Sequence, residues 1–234
     1  MLKINVIGKG NVGVSLVEAF QNKAIVNLID SRDITHTLPK ADINIVSVSD
    51  NAIEEVASRL KESDAILCHT SGSIPMDVLK RYGKNVGVFY PLQTFTASVT
   101  VDFFKIHFFL EANTPENLSI LEKAASLLSP NIHITDSEKR RKLHLASVFA
   151  CNFTNALASM AEEILKDSGI DFNVILPLMQ QTVTKLELLK PKEAQTGPAV
   201  RGDSKVLDAH INMLADSPKK QEIYKLITEY ISHH

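Results

Sequence analysis

The chain has 234 residues, of which 44% are hydrophobic and 22% charged, and its formal net charge is −2 at pH 7. That length holds one large domain or two modest ones with a substantial core, and the composition is that of an ordinary globular protein. The near-neutral balance leaves no electrostatic footprint for DNA or RNA, and no run approaches a membrane span, so neither nucleic acid nor membrane is expected as a partner.

The first twenty residues organise the rest. Ile4 to Ile7 reads as a short buried strand and Val14 to Phe20 as a helix. Between them Gly8, Gly10 and Gly13 stand in the G-x-G-x-x-G spacing. Such glycines allow a tight turn, close approach of backbone to a pyrophosphate, and close packing of helix on strand. The helix start offers unpaired N–H groups and the positive end of its dipole to phosphates. With Asn11 and Val12, the loop is expected to hold the diphosphate of a dinucleotide.

Short apolar runs and helical patterns then alternate, which predicts a mostly parallel sheet covered on both faces. Strands are expected at 25–30, 42–49, 65–69, 85–90 (closed by Pro91), 107–111 and 133–135, with helices at 50–61, 75–81 and 114–128. Thr114 and Pro115 give the last of these a cap and a first turn. From Asp136 onward the pattern is helical: 137–167, 173–189, 204–215 and 218–232. The fold expected is therefore α/β, a doubly wound domain over 1–136 followed by an all-helical domain over 137–234. The long apolar faces of that second part, such as Ile175, Leu176, Leu178 and Met179, point to a second copy of the chain as partner, a homodimer.

The ends of the strands carry the polar residues a ligand would meet. Asp30 ends the second strand, where an acidic side chain accepts from the adenosine ribose of NAD. Ser31 and Arg32 follow and suit the 2′-phosphate of NADP. A salt bridge within the turn, between Arg32 and Asp30 or Asp33, is the plainer alternative, and the cofactor stays NADP or NAD. Val48, Ser49 and Asn51 are expected beside the ribose and diphosphate, and His69, Thr70, Ser71, Gly72 and Ser73 near the nicotinamide. These are also the residue types that cap helices.

In the helical part, His144, Val148, Cys151 and Asn155 fall on one face at 100° per residue, with Asn152 at its edge. His144 is a candidate proton donor or acceptor for a carbonyl or imine, with Asn152 or Asn155 holding substrate. Arg201, in Thr196-Gly-Pro-Ala-Val-Arg-Gly-Asp203, suits a substrate carboxylate. The basic run Lys139-Arg140-Arg141-Lys142 reads as a solvated helix start. Cys68 and Cys151 lie in apolar stretches and are expected as buried free thiols in a reducing compartment. No spacing suggests a metal site. The N-terminus lacks an apolar leader, so a cytoplasmic protein is expected.

Five stretches in order resemble a known family: Gly8-Lys-Gly-Asn-Val-Gly13, His69-Thr-Ser-Gly-Ser73, Pro91-Leu-Gln-Thr-Phe95, His144-Leu-Ala-Ser-Val-Phe-Ala-Cys-Asn152 and Thr196 to Asp203. They are similar to Rossmann-like proteins with a DUF2520 C-terminal domain, related in plan to pyrroline-5-carboxylate reductase and to the 6-phosphogluconate and 3-hydroxyisobutyrate dehydrogenases. The resemblance implies an NAD(P)-binding domain, a dimerising helical domain and an oxidoreductase activity on a small polar substrate between the domains. It names no substrate. Relatives usually carry His where this chain has Tyr90, a poor base near neutral pH, which would move proton transfer toward His144. The dehydrogenase cousins' catalytic Lys, four residues before an Asn, has no equivalent here: Lys142 and His144 precede Asn152 at another spacing. A non-catalytic NAD(P)-binding redox sensor is the alternative.

Overall fold

The computed structural model describes residues 1–34, 38–166 and 168–233. The strands are β1 (Lys3–Ile7), β2 (Ile25–Ile29), β3 (Ile43–Val46), β4 (Ile66–His69), β5 (Val86–Leu92), β6 (His107–Ala112) and β7 (Ile132–Ile134). They form one seven-stranded sheet in the order β2-β1-β3-β4-β5-β6-β7. Among the described residues only the β5–β6 pairing is antiparallel.

Two apolar clusters cover the two faces. On one, α1 (Asn11–Phe20) and α3 (Pro115–Ser126) set Leu16, Phe20, Leu121 and Ala124 against Ile4, Ile43, Phe89 and Phe108. On the other, α2 (Ile53–Ser58) and a 3₁₀ turn at Met76–Leu79 set Ile53, Val56 and Leu79 against Ile7, Val46, Val88 and Tyr90. Burial on both faces explains why these strands read as continuous apolar runs. Register is pinned from inside: Asn27 donates to Asn5 (2.9 Å) and Asn5 to Asn44 (2.8 Å), three side chains on paired positions of β2, β1 and β3. A slip of one residue would strand these amides among apolar neighbours.

Thr114 caps α3 as its sequence implies, accepting from the Asn117 N–H at 3.2 Å. Three expectations change. Pro91 does not close β5: pairing with β4 has already ended at Val88, so a residue without N–H continues the strand at no cost in hydrogen bonds. The helix expected at 75–81 is the single 3₁₀ turn, whose Met76 and Leu79 meet the core. The helix expected over 137–167 is α4 (Ser137–Ser147) and α5 (Thr154–Leu165), separated by a π-helical stretch at Val148–Phe153; Asp167 lies outside the described residues.

The chain divides into two compact units, Met1–Asn152 and Phe153–His234. The first runs past the change of pattern at 136 because α4 is bonded to the sheet and its loops, as detailed below. The second holds α5, a 3₁₀ turn at Phe172–Val174, α6 (Leu176–Leu188), α7 (Pro191–Ala194), α8 (Pro198–Arg201), α9 (Ser204–Met213) and α10 (Pro218–His233). The two short helices α7 and α8 fill what the sequence leaves as a loop; each starts on a proline. Among the described residues no helix is long and apolar enough to cross a membrane.

Candidate active site

Strand order changes direction beside β1, which has β2 on one side and β3 on the other; ligands of open α/β sheets bind outside such a point. The glycine loop leaves β1 there. Gly8 has φ +124°, a conformation L side chains rarely adopt, and a Cβ on it would lie 2.1 Å from the Ser47 carbonyl. A Cβ on Gly13 would lie 2.1 Å from the Gly8 carbonyl. These two glycines are thus required by packing of turn, strand and helix. Gly10 differs: nothing lies within 4 Å of a Cβ built on it. It is the N-cap of α1, no side chain caps the helix, and the first turn carries no acid. The backbone donors of α1 face open space, which is what a diphosphate needs.

That space is a groove of about 430 Å³. Of the expected cofactor residues it brings together Gly8, Gly10, Asn11, Val12, Ser31, Val48, Ser49 and Thr70. It adds Lys9, Ser47, Gln93 and Phe95. The last two come from the loop after β5, held against the glycine loop where Asn11 Nδ2 donates to the Phe95 carbonyl at 3.0 Å. Gly13, Asn51, His69, Ser71 and Gly72 do not line it.

At the end of β2, Asp30 is already engaged. Arg32 donates to its carboxylate from the backbone N–H (3.0 Å), Nε (3.0 Å) and Nη2 (2.7 Å), and Lys9 Nζ lies 3.5 Å away. Hydrogen bonds from the Arg32 side chain, then its backbone, hold the Asp30 carboxyl well below the usual carboxylate range. The plainer of the alternatives, a salt bridge in the turn, is therefore present. Arg59, which caps the C-terminus of α2 and which sequence reasoning passed over, donates to the Ser31 carbonyl at 3.2 Å and pairs with Glu55. Its sequence position, far from the glycine motif, carried no signal for this.

Beyond β4 the chain turns sharply. His69 is fully buried and its Nδ1 accepts the Ser71 N–H at 3.1 Å; its ring lies inside, so it does not present itself to a ligand. Burial, followed by the charge of Arg140, pushes its pKa down to about 4. Ser71 Oγ accepts the N–H groups of Ser73 and Ile74, both at 3.0 Å. The hydroxyls expected to meet a nicotinamide thus divide: Thr70 opens on the groove, whereas Ser71 holds the turn.

Gly72 in this turn meets His144. A Cβ on Gly72 would sit 2.6 Å from His144 Nδ1 and 2.8 Å from Tyr90 Cζ. The Tyr90 hydroxyl lies 3.1 Å from His144 Nδ1, so the two residues between which proton transfer seemed to be divided form one hydrogen-bonded pair. Burial pushes the Tyr90 phenol up to about 12, so Tyr90 keeps its proton at neutral pH. Of the face read at 100° per residue, only His144 enters this arrangement. The π-helical turns lose that phase, and Asn152 and Asn155 are exposed. Cys151 is exposed too, a correction to the buried thiol expected, while Cys68 is buried.

The basic run also departs from expectation. Arg140 has no exposed surface; it pairs with Glu111 of β6 and donates to the Ile74 carbonyl at 2.6 Å. In the helical unit, Arg201 is exposed at the end of α8. A separate cavity of about 290 Å³ in that unit is lined by apolar side chains of α5, α9 and α10 and by Thr196 to Ala199, without Arg201. Among the described residues no cluster of three or more metal-ligating side chains occurs.

The DUF2520 family model, a domain of unknown function, matches residues 106–231. A search of curated protein sequences finds no match. Among solved structures, a Bacteroides fragilis protein provisionally assigned as an NADP oxidoreductase is similar at 37% identity and TM-score 0.92, over 100% of this chain and 98% of that one. A reductive aminase of Aspergillus terreus, solved with NADPH and ethyl-5-oxohexanoate, is similar at 14% identity and TM-score 0.71, over 100% and 93%. A pyrroline carboxylate reductase of Plasmodium falciparum, solved with NADP, is similar at 13% and 0.63, over 99% and 98%. The last two speak to the fold alone: a Rossmann-type sheet followed by helices. With more than half its length matched by the family model and a full-length relative above one-third identity, the chain belongs to the DUF2520 family.

Proposed function

We propose that the protein is an NADP-dependent oxidoreductase of a small carbonyl or imine. The observation that carries this reading is the groove at the glycine loop, where the uncapped start of α1 and the open space over Gly10 accommodate a diphosphate. When bound, NADPH supplies a hydride, two electrons and one hydrogen, to the substrate carbon. The protein adds one proton to the substrate oxygen or nitrogen, so that an alcohol or amine and NADP⁺ result.

NADP is favoured over NAD at the β2 end. The acceptors of Asp30 that a ribose diol would use are occupied by Arg32 and Lys9. Lys9 and Arg32 pair with Asp30 and Arg59 donates to the Ser31 carbonyl, so three cations stand at this strand end, a setting suited to a 2′-phosphate. The relative with 37% identity carries an NADP oxidoreductase assignment, which supports the same choice.

The Tyr90–His144 pair is the proposed proton source. Tyr90 holds the imidazole with its proton on Nε2, ready to be given up, and solvent restores it. Asn152 and Arg201 are proposed substrate contacts, with residues 1–136 as the cofactor part and 137–234 as the substrate and dimerisation part. The partner proposed for the apolar helical face is a second copy of the chain.

The test is oxidation of NADPH, followed by its absorbance, across a panel of ketones, aldehydes and cyclic imines. Turnover with at least one, lost in His144→Ala while NADPH still binds, is the expected result. Tight binding of NADPH without turnover of any, and no effect of His144→Ala, would overturn the catalytic reading in favour of a redox sensor.

A further inference from the structure

We infer that Arg140 is a positioning residue: by tying α4 to the loop after β4, it fixes how His144 meets Tyr90. The inference rests on the reading that the Tyr90–His144 pair supplies the proton.

Among the described residues Arg140 is the largest side chain with no exposed surface. Its guanidinium reaches three elements at once. Nη1 pairs with Glu111 on β6, and Nη2 donates to the Ile74 carbonyl (2.6 Å) and toward Ser137 Oγ (3.3 Å). Ser137, one turn earlier on α4, donates its hydroxyl to the Glu111 carboxylate (2.8 Å) and accepts the Met76 N–H (3.0 Å). Both Ile74 and Met76 are therefore fastened to the helix. The other end of the same loop is fastened to β4, through His69 Nδ1 on the Ser71 N–H and Ser71 Oγ on the N–H groups of Ser73 and Ile74.

Between these two fastenings lies Gly72. His144 stands four residues after Arg140, on the same helix face one turn on. The clamp thus sets the gap between turn and helix, which is so narrow that a Cβ on Gly72 would fall 2.6 Å from the imidazole. The Tyr90 hydroxyl enters the same gap from β5.

A buried ion pair is a costly way to gain stability, since apolar residues of similar volume often serve as well. What it supplies here is geometry. A planar guanidinium addresses a carboxylate, a carbonyl and a hydroxyl in set directions, which neither Lys nor Met does. The pair is also placed to act on a neighbour: the charge of Arg140 adds to burial in keeping His69 neutral, so the turn's anchor keeps its acceptor nitrogen free for Ser71.

The experiment reads the His144 imidazole directly, by nitrogen-15 NMR of histidine-labelled protein at alkaline pH, beside an NADPH fluorescence titration. In the unaltered protein His144 is expected as the Nε2–H tautomer. Tyr90→Phe should release it into a mixture of tautomers. Arg140→Met should give the same mixture with NADPH affinity unchanged, and Arg140→Lys should restore the single tautomer in part. Should Arg140→Met not fold, Arg140→Lys carries the test, because it keeps a cation beside Glu111 and loses the forked bond to the Ile74 carbonyl. A single Nε2–H tautomer retained in Arg140→Met, or retained in full in Arg140→Lys where the former does not fold, would overturn the inference. If the unaltered protein binds no NADPH yet the tautomers respond as expected, the proposed reaction falls and the positioning role stands.

Discussion

In the sheet-bearing unit the apolar side chains of the inner strands and of α1, α2 and α3 form a core on both faces, with Phe89, Phe108, Ile4 and Leu16 at 0% exposure, and exposed apolar residues lie outside it, as at Ile25 and Ile134 of the edge strands. In the helical unit only Ala194 and Ala199 count as buried apolar residues among those described, while Val174, Leu178, Val183 and Leu188 are each more than 60% exposed. One unit buries its own core. The other is built of amphipathic helices whose apolar stripes await a surface, and helices of this length take most of their stability from such packing. The difference teaches where substitutions should be felt in a single chain, and where they should be felt through association.

The largest effect is expected from Phe89→Ala, which removes a ring packed between Phe20 and Phe108. A loss of about 3–5 kcal/mol in urea unfolding is expected for a truncated aromatic core residue. A loss as small as that of a surface residue would break the contrast from the sheet side. Glu111→Ala comes next. It leaves the Arg140 guanidinium buried without its counter-charge, at a cost of about 3 kcal/mol; Glu111→Gln, which keeps the acceptor oxygen, should cost less in the same assay.

Acid should act on the same unit. His69 has a folded-state pKa of about 4, below its ordinary value of 6.5, so the unfolded chain binds its proton first as pH falls. Its contribution is intact above pH 6.5 and is lost as pH falls from 6.5 to about 4, a swing of about 3 kcal/mol by linkage. Unfolding free energies measured across that range should fall less steeply in His69→Gln than in the unaltered chain; equal slopes would remove His69 from the account. The smallest effect on stability belongs to Leu178→Ser on α6, expected within about 0.5 kcal/mol for an exposed site. Its consequence should appear in light scattering instead, as dissociation of the proposed dimer. A monomer in the unaltered protein would leave the exposed helical stripe without the partner proposed here.

The glycine loop proposed as the cofactor end was legible because its signals are local. Three glycines at fixed spacing between an apolar run and a helix specify a turn whatever lies elsewhere, and Gly8 with its positive φ and Gly10 with its open front behave as that motif implies. The polar strand ends were legible as a set, since sheet topology gathers them, but not one by one. Ser71 and Thr70 are neighbours of similar chemistry, and only the turn decides that one faces inward and the other the groove.

The proposed proton-transferring end was only half legible. His144 stood out as a polar residue on an apolar helix, and Tyr90 as a departure from relatives. Their contact depends on β5 and α4 coming together, 54 positions apart, which no spacing reveals. Arg140 was read with the wrong sign of burial, because three neighbouring cations imply a solvated face and its partner Glu111 lies on another element. Counting at 100° per residue failed beyond Ser147, where the backbone changes to π geometry.

The central claim is that the open front of the glycine loop holds the diphosphate of NADP. Gly10→Asp tests it most directly, because a Cβ at this position meets no atom within 4 Å, so the substitution should spare the fold while placing a carboxylate where the diphosphate would lie. Titrated by NADPH fluorescence, the unaltered protein should bind and the variant, with an unchanged thermal melt, should not. Equal affinity in the two proteins would contradict the account.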